Sequence, residues 1–200
     1  MILAFSPVAL DGESYTDVVA LAHRSPGWVD GAVTAWSAYG LALFAVLMTI
    51  GWWRSRRSGA GAAMTALAVP LVVLAAFGVD TALKALVRES RPCRSLRVST
   101  LEACPAPGDW SFPSNHAAIA AAAAVALCFV SRRLGAVAAL AAGAMAVSRV
   151  WIGVHYPHDV LAGVVLGGLV AFVAMTVLRR LPSGLALRLS ATRLRPLLVS

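Results

Sequence analysis

Five apolar stretches, each a candidate to cross a lipid bilayer, limit the fold of this chain more than any other feature. They occupy approximately residues 29–53, 62–87, 117–130, 134–151 and 160–178. Of the 200 residues, 60% are hydrophobic and only 13% are charged, which lies well outside the balance of a soluble domain. Helices satisfy their backbone polar groups internally, as lipid requires. We therefore predict an all-α integral membrane protein, a compact bundle of about five transmembrane helices.

The distribution of arginine orients these stretches. Arginines cluster directly after the first, third and fifth stretches, at Arg54, Arg56, Arg57, Arg132, Arg133, Arg179 and Arg180. Because short cytoplasmic loops are enriched in positive charge, these points are predicted to be cytoplasmic. The segment before the first stretch is acidic and is predicted to lie outside. This orientation leaves residues 88–115 and 149–159 as outer connections and puts the C-terminus in the cytoplasm, which predicts a multi-pass protein of the plasma membrane.

The same division predicts three regions. Residues 1–28 form an outer segment with a short interfacial helix at 14–24, residues 29–181 form the membrane domain, and residues 182–200 form a basic cytoplasmic tail with an amphipathic piece at 185–194. The net charge is +8. Since the basic residues lie mainly in short loops and at the ends of spans, membrane orientation and anionic lipid explain them, and a nucleic-acid partner is not expected.

Three polar clusters fall on or beside the outer connections, although the topology was assigned from other charges. They are Lys84 with Arg91-Pro92, then Pro113-Ser114-Asn115-His116, and finally Ser148-Arg149 with His155 and Asp159. Lys84 and Arg91 are seven residues apart, close to two helical turns, which predicts that both project from one side of the second span and grip one anion. The alternative for either residue alone is a cation that snorkels at a helix end.

The second and third clusters combine helix starts with histidines. Ser114 is a predicted N-cap, and the free N–H groups of that helix start favour a phosphate oxygen that His116 would also face. Pro157 suits the first position of the last helix. There Asp159 can accept a hydrogen bond from His155 and leave the other ring nitrogen free to attack. Arg149 adds a fork that matches a phosphoryl group. A single histidine at a helix start is more often structural.

Metal binding is the competing interpretation of these histidines. His116, His155, His158 and Asp159 could together form a metal site. However, Lys84, Arg91 and Arg149 add positive charge at the same place, which disfavours a cation and favours an anion. We therefore expect no metal and no other cofactor.

Together the three clusters resemble the three-part signature of the type 2 phosphatidic acid phosphatase superfamily, which also includes vanadium haloperoxidases. The matching patterns are Lys84-x6-Arg91-Pro92, Pro113-Ser114-x-His116 and Ser148-Arg149-x5-His155-x3-Asp159. One pattern alone is weak evidence, whereas three in order with these spacings are strong evidence. The likeness covers about residues 30–180. Within the superfamily the chain is most similar to bacterial undecaprenyl-diphosphate phosphatases of the bacitracin-resistance type.

The resemblance implies a helical catalytic core and a phosphohistidine intermediate. It implies that His155 is the nucleophile, that Asp159 orients it, and that His116 protonates the leaving oxygen and then activates water. It also implies a phosphate-binding set, consisting of Lys84, Arg91, Ser114, Arg149 and the backbone N–H near Asn115. Asn115 departs from the family, which most often has glycine there, and adds an amide that can contact substrate or narrow the pocket.

The expected activity is removal of phosphate from a lipid phosphate or diphosphate in the bilayer, with undecaprenyl diphosphate as the first candidate. Phosphatidylglycerophosphate, phosphatidic acid and a polyprenyl-phosphoryl sugar phosphate would use identical catalytic residues. Another class, a lipid-binding protein or a transporter, would explain the charges inside the membrane. The absence of an evident inverted repeat argues against a transporter.

Two further expectations concern residues outside the signature. Asp80 lies one turn before Lys84 and is predicted to orient it by an i,i+4 contact, with helix-to-helix hydrogen bonding as the alternative. Cys93 and Cys104 lie in the same outer connection and are predicted to form a disulfide, whereas Cys128 lies in an apolar stretch and is expected to pack in the core.

Overall fold

The computed structural model of the chain describes residues 7–180 and 195–198, with side chains from residue 11 onward in the first range. All secondary-structure elements in these ranges are helices. They are α1 (Pro7–Arg24), α2 (Gly27–Tyr39), α3 (Leu41–Ser55), α4 (Ala60–Val87), α5 (Pro92–Ser95), α6 (Asn115–Val130), α7 (Arg132–Trp151), α8 (Pro157–Arg179) and α9 (Arg195–Leu198). The predicted all-α fold is therefore confirmed.

Three of these helices are long and apolar enough to span a membrane, namely α4 with its extension through α5, α7 and α8. Helices α2 and α3 together qualify as a fourth span, bent by 52°. The bend falls at Gly40, where a Cβ atom would come within 2.9 Å of Met145 Cε, so glycine permits α7 to pack closely. The remaining predicted span is α6, whose 16 residues are apolar but shorter than the about 20 that usually cross a bilayer.

Helix α6 forms the centre of the bundle and packs against α3, α4, α7 and α8. Eight of its alanines and Leu127 are buried, because small side chains allow four neighbours to approach one helix. Helix α8 approaches most closely at Gly163 and Gly167. A Cβ atom on Gly167 would lie 2.1 Å from the carbonyl oxygen of Ala118, and one on Gly163 would lie 2.5 Å from that of Ser114. These glycines therefore fix the start of α6 against the start of α8.

Helix α1 contains the predicted interfacial segment and lies over the end of the bundle at which the polar clusters meet. It contacts α5, α7 and α8. Its Tyr15 is fully buried, donates a hydrogen bond to the carbonyl of Gly153 (2.9 Å) and packs on the ring of Tyr156. The helix thus packs on the connections that carry the site.

The predicted disulfide is present and joins Cys93 to Cys104 within the outer connection. The prediction for Cys128 was wrong, because its side chain is exposed on α6. Its neighbour across the helix interface is Gly135, where a Cβ atom would clash with the Cys128 sulfur, so only a residue without a side chain packs there. The amphipathic piece predicted at 185–194 lies outside the described residues. The following α9 packs on α4, and its Leu197 carbonyl accepts a hydrogen bond from Trp52.

Candidate active site

The structure brings the three polar clusters together at one end of the bundle. The C-terminal end of α4, the N-terminal end of α6 and the connection between α7 and α8 meet there. Six of the predicted residues are buried there, although charged side chains are rarely buried without partners: Lys84, Arg91, Ser114, Arg149, His155 and Asp159.

Lys84 and Arg91 reach the site by a route different from the predicted one. Helix α4 ends at Val87 because Arg88 adopts a left-handed conformation (φ 54°), so Arg91 is not on the helix, and the two-turn geometry was wrong. The extended conformation before Pro92 was correct (φ −66°, ψ 146°). Both cations still contact one loop, since Lys84 Nζ lies 3.0 Å from the Trp110 carbonyl oxygen and Arg91 Nε lies 2.9 Å from that of Asp109.

His155 and Asp159 form the predicted pair. Nδ1 of His155 lies 3.3 Å from Oδ2 of Asp159, and the same oxygen accepts the backbone N–H of Tyr156 at 2.8 Å. That second bond closes the helix start as in a capping box, with Asp159 in the first turn of α8. Since a carboxylate only accepts hydrogen bonds, this arrangement puts the proton on Nδ1 and leaves a lone pair on Nε2.

Ser111, which the sequence reasoning missed, connects this pair with the lysine. Its hydroxyl donates to Oδ2 of Asp159 and lies 3.4 Å from Nδ1 of His155. Its carbonyl oxygen lies 3.5 Å from Lys84 Nζ. The residue is fully buried, so its hydroxyl restricts the carboxylate to the position in which it faces the histidine. In the sequence, its position three residues before Ser114 was the feature that could have indicated a place in the site.

Arg91 faces the free nitrogen of His155. Its Nη1 lies 3.2 Å from His155 Nε2 and donates to the Val154 carbonyl at 2.9 Å, while Nη2 binds Oδ1 of Asp109 at 2.9 Å. A phosphoryl group that approaches Nε2 would therefore meet the guanidinium immediately. Asp109 is a carboxylate in the place where an anionic substrate would compete for the same donors.

Arg149 is held between α2 and the outer loop. Nη1 hydrogen-bonds the hydroxyl of the buried Ser37, and it lies 4.0 Å from Oε2 of Glu102. Its Nε is buried and has no partner within the described residues. A buried donor without a protein partner is suited to an anion. Ser37 and Glu102 lie far from Arg149 in sequence, and no local pattern marked them.

The start of α6 carries the second cluster. Ser114 occupies the predicted N-cap position, and its N–H donates to the Asp159 carbonyl at 3.0 Å, which docks α6 on α8. Its hydroxyl makes no capping bond, and both Ser114 Oγ and Asn115 Oδ1 are buried without a partner in the part of the chain that the structure describes. His116 follows in the first turn, half-buried. The free hydroxyl of Ser114 and the positive end of the helix dipole are suited to an anion.

The predicted contact between Asp80 and Lys84 is absent. Asp80 is fully buried, and neither carboxylate oxygen has a hydrogen-bond partner among the described residues. Lys84 instead extends to the carbonyl groups of Trp110 and Ser111, because these lie beyond the end of the helix where its ammonium group can leave the apolar interior. The prediction that Asp80 orients Lys84 directly was therefore wrong.

His158 ties the N-terminal helix to the site. Its Nδ1 lies 2.9 Å from Oδ1 of Asp11, its Nε2 lies 3.0 Å from Oε1 of Glu89, and its backbone N–H donates to Asp11 at 2.7 Å. Two carboxylates facing two ring nitrogens are satisfied best by an imidazolium. The ring also stacks on Tyr156, so His158 closes the site from the side of α1.

Candidate metal ligands within the described residues form a group that differs from the one considered above. Glu89, His158 and Asp159 place their ligand atoms within 4.8 Å of one another, whereas His116 and His155 do not join them. Both ring nitrogens of His158 already contact carboxylates. The charged imidazolium therefore occupies the position that a metal cation would take. Metal-free chemistry stays a prediction, which a chelation experiment can test.

Burial sets the protonation of the loop groups. It lowers the pKa of His155 to about 3, although the hydrogen bond and the charge of Asp159 act in the opposite direction. His155 is thus neutral at physiological pH, as a nucleophile must be. Burial alone would raise the pKa of Asp109, but the hydrogen bond and charge of Arg91 hold it below its usual range. Burial also raises the pKa of Glu89 despite its bond with His158.

Comparisons with known proteins identify relatives of this chain. The sequence profile of the PAP2 superfamily matches residues 65–182, more than half of the chain. The chain is 39% identical over 77 residues to the undecaprenyl-diphosphatase of Sulfolobus acidocaldarius, covering 36% of each protein. It is 36% identical over 85 residues to undecaprenyl-diphosphatase BcrC of Bacillus subtilis, covering 42% of this chain and 43% of that protein.

A third relative is the decaprenylphosphoryl-5-phosphoribose phosphatase of Mycobacterium tuberculosis, 35% identical over 103 residues, with 51% of this chain and 55% of that protein covered. The matches thus span between about a third and just over half of these relatives' own lengths.

Two solved structures share the fold over most of their length. One is the PAP2-type phosphatidylglycerolphosphate phosphatase of Bacillus subtilis, with a TM-score of 0.61, 21% identity and coverage of 86% of this chain and 87% of that one. The other is Aquifex aeolicus LpxE, with a TM-score of 0.66, 22% identity and coverage of 88% and 99%. At these identities the likeness concerns the fold.

Proposed function

This chain belongs to the PAP2 superfamily, and from that premise we propose that it is a metal-independent phosphatase of a membrane lipid phosphate or diphosphate. The observation that carries the proposal is the position of His155, neutral and fixed by Asp159, with its free Nε2 facing Arg91 at 3.2 Å. A nucleophile, an orienting carboxylate and an anion-binding fork then meet at one point. A binding protein or transporter would require the cations but not this pair.

The proposed first step is phosphoryl transfer to the histidine. Nε2 of His155 forms a bond to phosphorus while the bond between phosphorus and the leaving oxygen breaks, and His116 donates a proton to that oxygen. Charge on the phosphoryl oxygens is stabilised by Lys84, Arg91, Ser114 and Arg149 and by the N–H groups at Asn115. Asp159 stabilises the positive charge that develops on His155.

The second step releases phosphate. His116, now neutral, accepts a proton from a water molecule whose oxygen bonds to phosphorus, and the bond between phosphorus and Nε2 breaks. His155 returns to its neutral form, and inorganic phosphate leaves. Over both steps one water is consumed and no electron transfer occurs, so the chemistry requires no redox cofactor.

We propose undecaprenyl diphosphate as the substrate, with undecaprenyl phosphate as the product for carrier recycling, because two of the relatives are undecaprenyl-diphosphatases. The arginine distribution supports an active site on the outer face of the plasma membrane. A polyprenyl-phosphoryl sugar phosphate is the second candidate, supported by the mycobacterial relative. Phosphatidylglycerophosphate and phosphatidic acid complete the set of lipids to compare.

The test is phosphate release by the purified protein in detergent with EDTA, for each of these four lipids. We expect release that persists in EDTA, is fastest with undecaprenyl diphosphate and falls by about a thousandfold or more in His155→Ala. His23→Ala is the matched control, since His23 is an exposed histidine whose ring is hydrogen-bonded to the Ser99 carbonyl, outside the three clusters. Release abolished by EDTA would overturn the metal-free mechanism. No release from any of the lipids would favour a binding protein.

A further inference from the structure

An apolar groove runs along the side of the bundle between α2 and α7. Its volume is about 500 Å³, within the range of about 300–1,000 Å³ typical of ligand sites. The lining comes from one face of each helix: Val29, Ala32, Val33 and Trp36 of α2, and Gly143, Ala144, Val147, Ser148 and Trp151 of α7. The length along α7, from Gly143 to Trp151, is about 12 Å at the usual rise per residue.

The polar groups of this groove are few and almost all satisfied. The hydroxyl of Ser148 donates to the Met145 carbonyl at 2.7 Å, and the indole N–H of Trp151 donates to Asp30 at 3.0 Å. Trp36 keeps a buried N–H without a partner in residues 7–180 and 195–198. The lining therefore offers almost only hydrocarbon contact, which suits an apolar chain rather than a headgroup.

The groove shares a wall with the phosphate site. Ser148 lines the groove, and the next residue is Arg149; Trp36 lines it, and the next residue, Ser37, holds the guanidinium of Arg149. Since successive residues of a helix point about 100° apart, one side chain of each pair faces the groove and its neighbour faces the site. The side chain of Val147, 62% exposed, shows that the groove opens on the outer surface of the bundle.

We propose that this groove holds the part of the substrate's hydrocarbon tail that lies next to the phosphate. The inference rests on the proposed lipid phosphatase function and specifies where the hydrocarbon tail of the substrate lies. When the phosphoryl group of a lipid lies at Arg149, its hydrocarbon chain passes Ser148 and Trp36 and continues into the bilayer.

The experiment fills the groove without touching the site. A Cβ atom added at Gly143 meets nothing within 4 Å, and Gly143 lines the groove, so Gly143→Leu places a side chain in the groove from an unobstructed position. We expect kcat/KM for undecaprenyl diphosphate to fall about tenfold or more, chiefly through KM. For para-nitrophenyl phosphate, which has no tail, we expect a change of less than about twofold.

Gly78→Leu is the matched control. A Cβ atom added at Gly78 also meets nothing within 4 Å, Gly78 lies nine residues from the end of α4 as Gly143 lies eight from the end of α7, and it does not line the groove. It should change neither substrate's kinetics. Equal losses for both substrates in Gly143→Leu would overturn the groove as a tail site, and so would no loss for either. If the unaltered protein hydrolyses neither substrate, the proposed function is overturned instead.

A second measurement does not depend on turnover. His155→Ala is irradiated with farnesyl diphosphate carrying a diazirine in its first isoprene unit, and the labelled peptides are identified. Labels within residues 29–36 and 143–151 that undecaprenyl phosphate competes away are expected. Labels confined to α4 or α8 would overturn the proposal, and uncompeted labels with cross-linked dimers would indicate an interface between copies of the chain.

Discussion

Nε2 of His155 lies 3.2 Å from Nη1 of Arg91, so the nitrogen that is free to attack is covered by a guanidinium that Asp109 holds in place. Arg91 also donates to the carbonyl groups of Asp109 and Val154, which leaves one of its five N–H donors uncommitted. A phosphoryl group that approaches His155 therefore finds one free donor on this guanidinium and gains further donors only by displacing Asp109 or one of the other acceptors. The carboxylate and the substrate are competitors for one arginine.

Asp109→Asn should strengthen phosphate binding. The pKa of Asp109 lies below its usual range, so the carboxylate is charged throughout the neutral pH range, and the amide removes that charge. We expect the inhibition constant of inorganic phosphate to fall about three- to tenfold, as expected for one exposed charge contact. Glu13→Gln, an exposed acid on α1, is the charge-matched control and should leave it unaltered. A weaker inhibition in Asp109→Asn would instead identify Asp109 as a support of Arg91.

Ser111→Ala should impair the chemical step more than binding. Without the hydroxyl, Asp159 loses one of the bonds that keep its carboxylate facing His155. We expect kcat to fall about ten- to a hundredfold, with KM nearly constant, measured with para-nitrophenyl phosphate. Ser90→Ala, an exposed serine in the same outer connection, should retain full activity. A rise in KM without a fall in kcat would show that Ser111 acts on substrate binding.

The sequence predicted the parts of the site that follow local rules, and the structure added those that depend on loop geometry. Helix starts at Ser114 and Pro157 follow from capping preferences, so the second and third clusters were placed correctly. The contact of Asp109 with Arg91 could not be predicted, because both residues lie in irregular segments, where the sequence has no helical or strand periodicity. The direction of Lys84 depended on where α4 ended, and helix boundaries are the least predictable feature of a sequence.

Gly167→Ala should destabilise the bundle, whereas Gly168→Ala should not. A Cβ atom at Gly167 would lie 2.1 Å from the backbone oxygen of Ala118, and backbone cannot move aside as a side chain does. A Cβ atom at Gly168 would make an ordinary contact of 3.7 Å with Val125. We expect a loss of about 1–3 kcal/mol for Gly167→Ala, seen as a lower Tm in detergent. Equal Tm values for the two variants would contradict the close packing of α6 on α8.

Asp80→Asn should leave activity intact and keep or raise the Tm. The carboxylate is fully buried, and neither oxygen has a partner among the described residues, so its charge is costly in the folded protein. The amide has the same shape without the charge. Phosphate release and thermal unfolding of the two proteins in one detergent test this. A Tm loss of several degrees would reveal a partner for Asp80, and a loss of activity alone would reveal a role in catalysis.

The buried neutral state of His155 should make the protein less stable in acid. Its pKa is lowered from 6.5 to about 3 in the folded chain, so between these values the unfolded chain binds a proton that the folded chain does not. The stability that depends on neutral His155 is complete above pH 6.5 and declines as pH falls toward 3. His155→Asn removes this titration, so its Tm should decrease less steeply than that of the unaltered protein between pH 6.5 and 5. Parallel Tm curves would show that His155 binds a proton as readily in the folded protein as in the unfolded chain, which would contradict its burial in the neutral form.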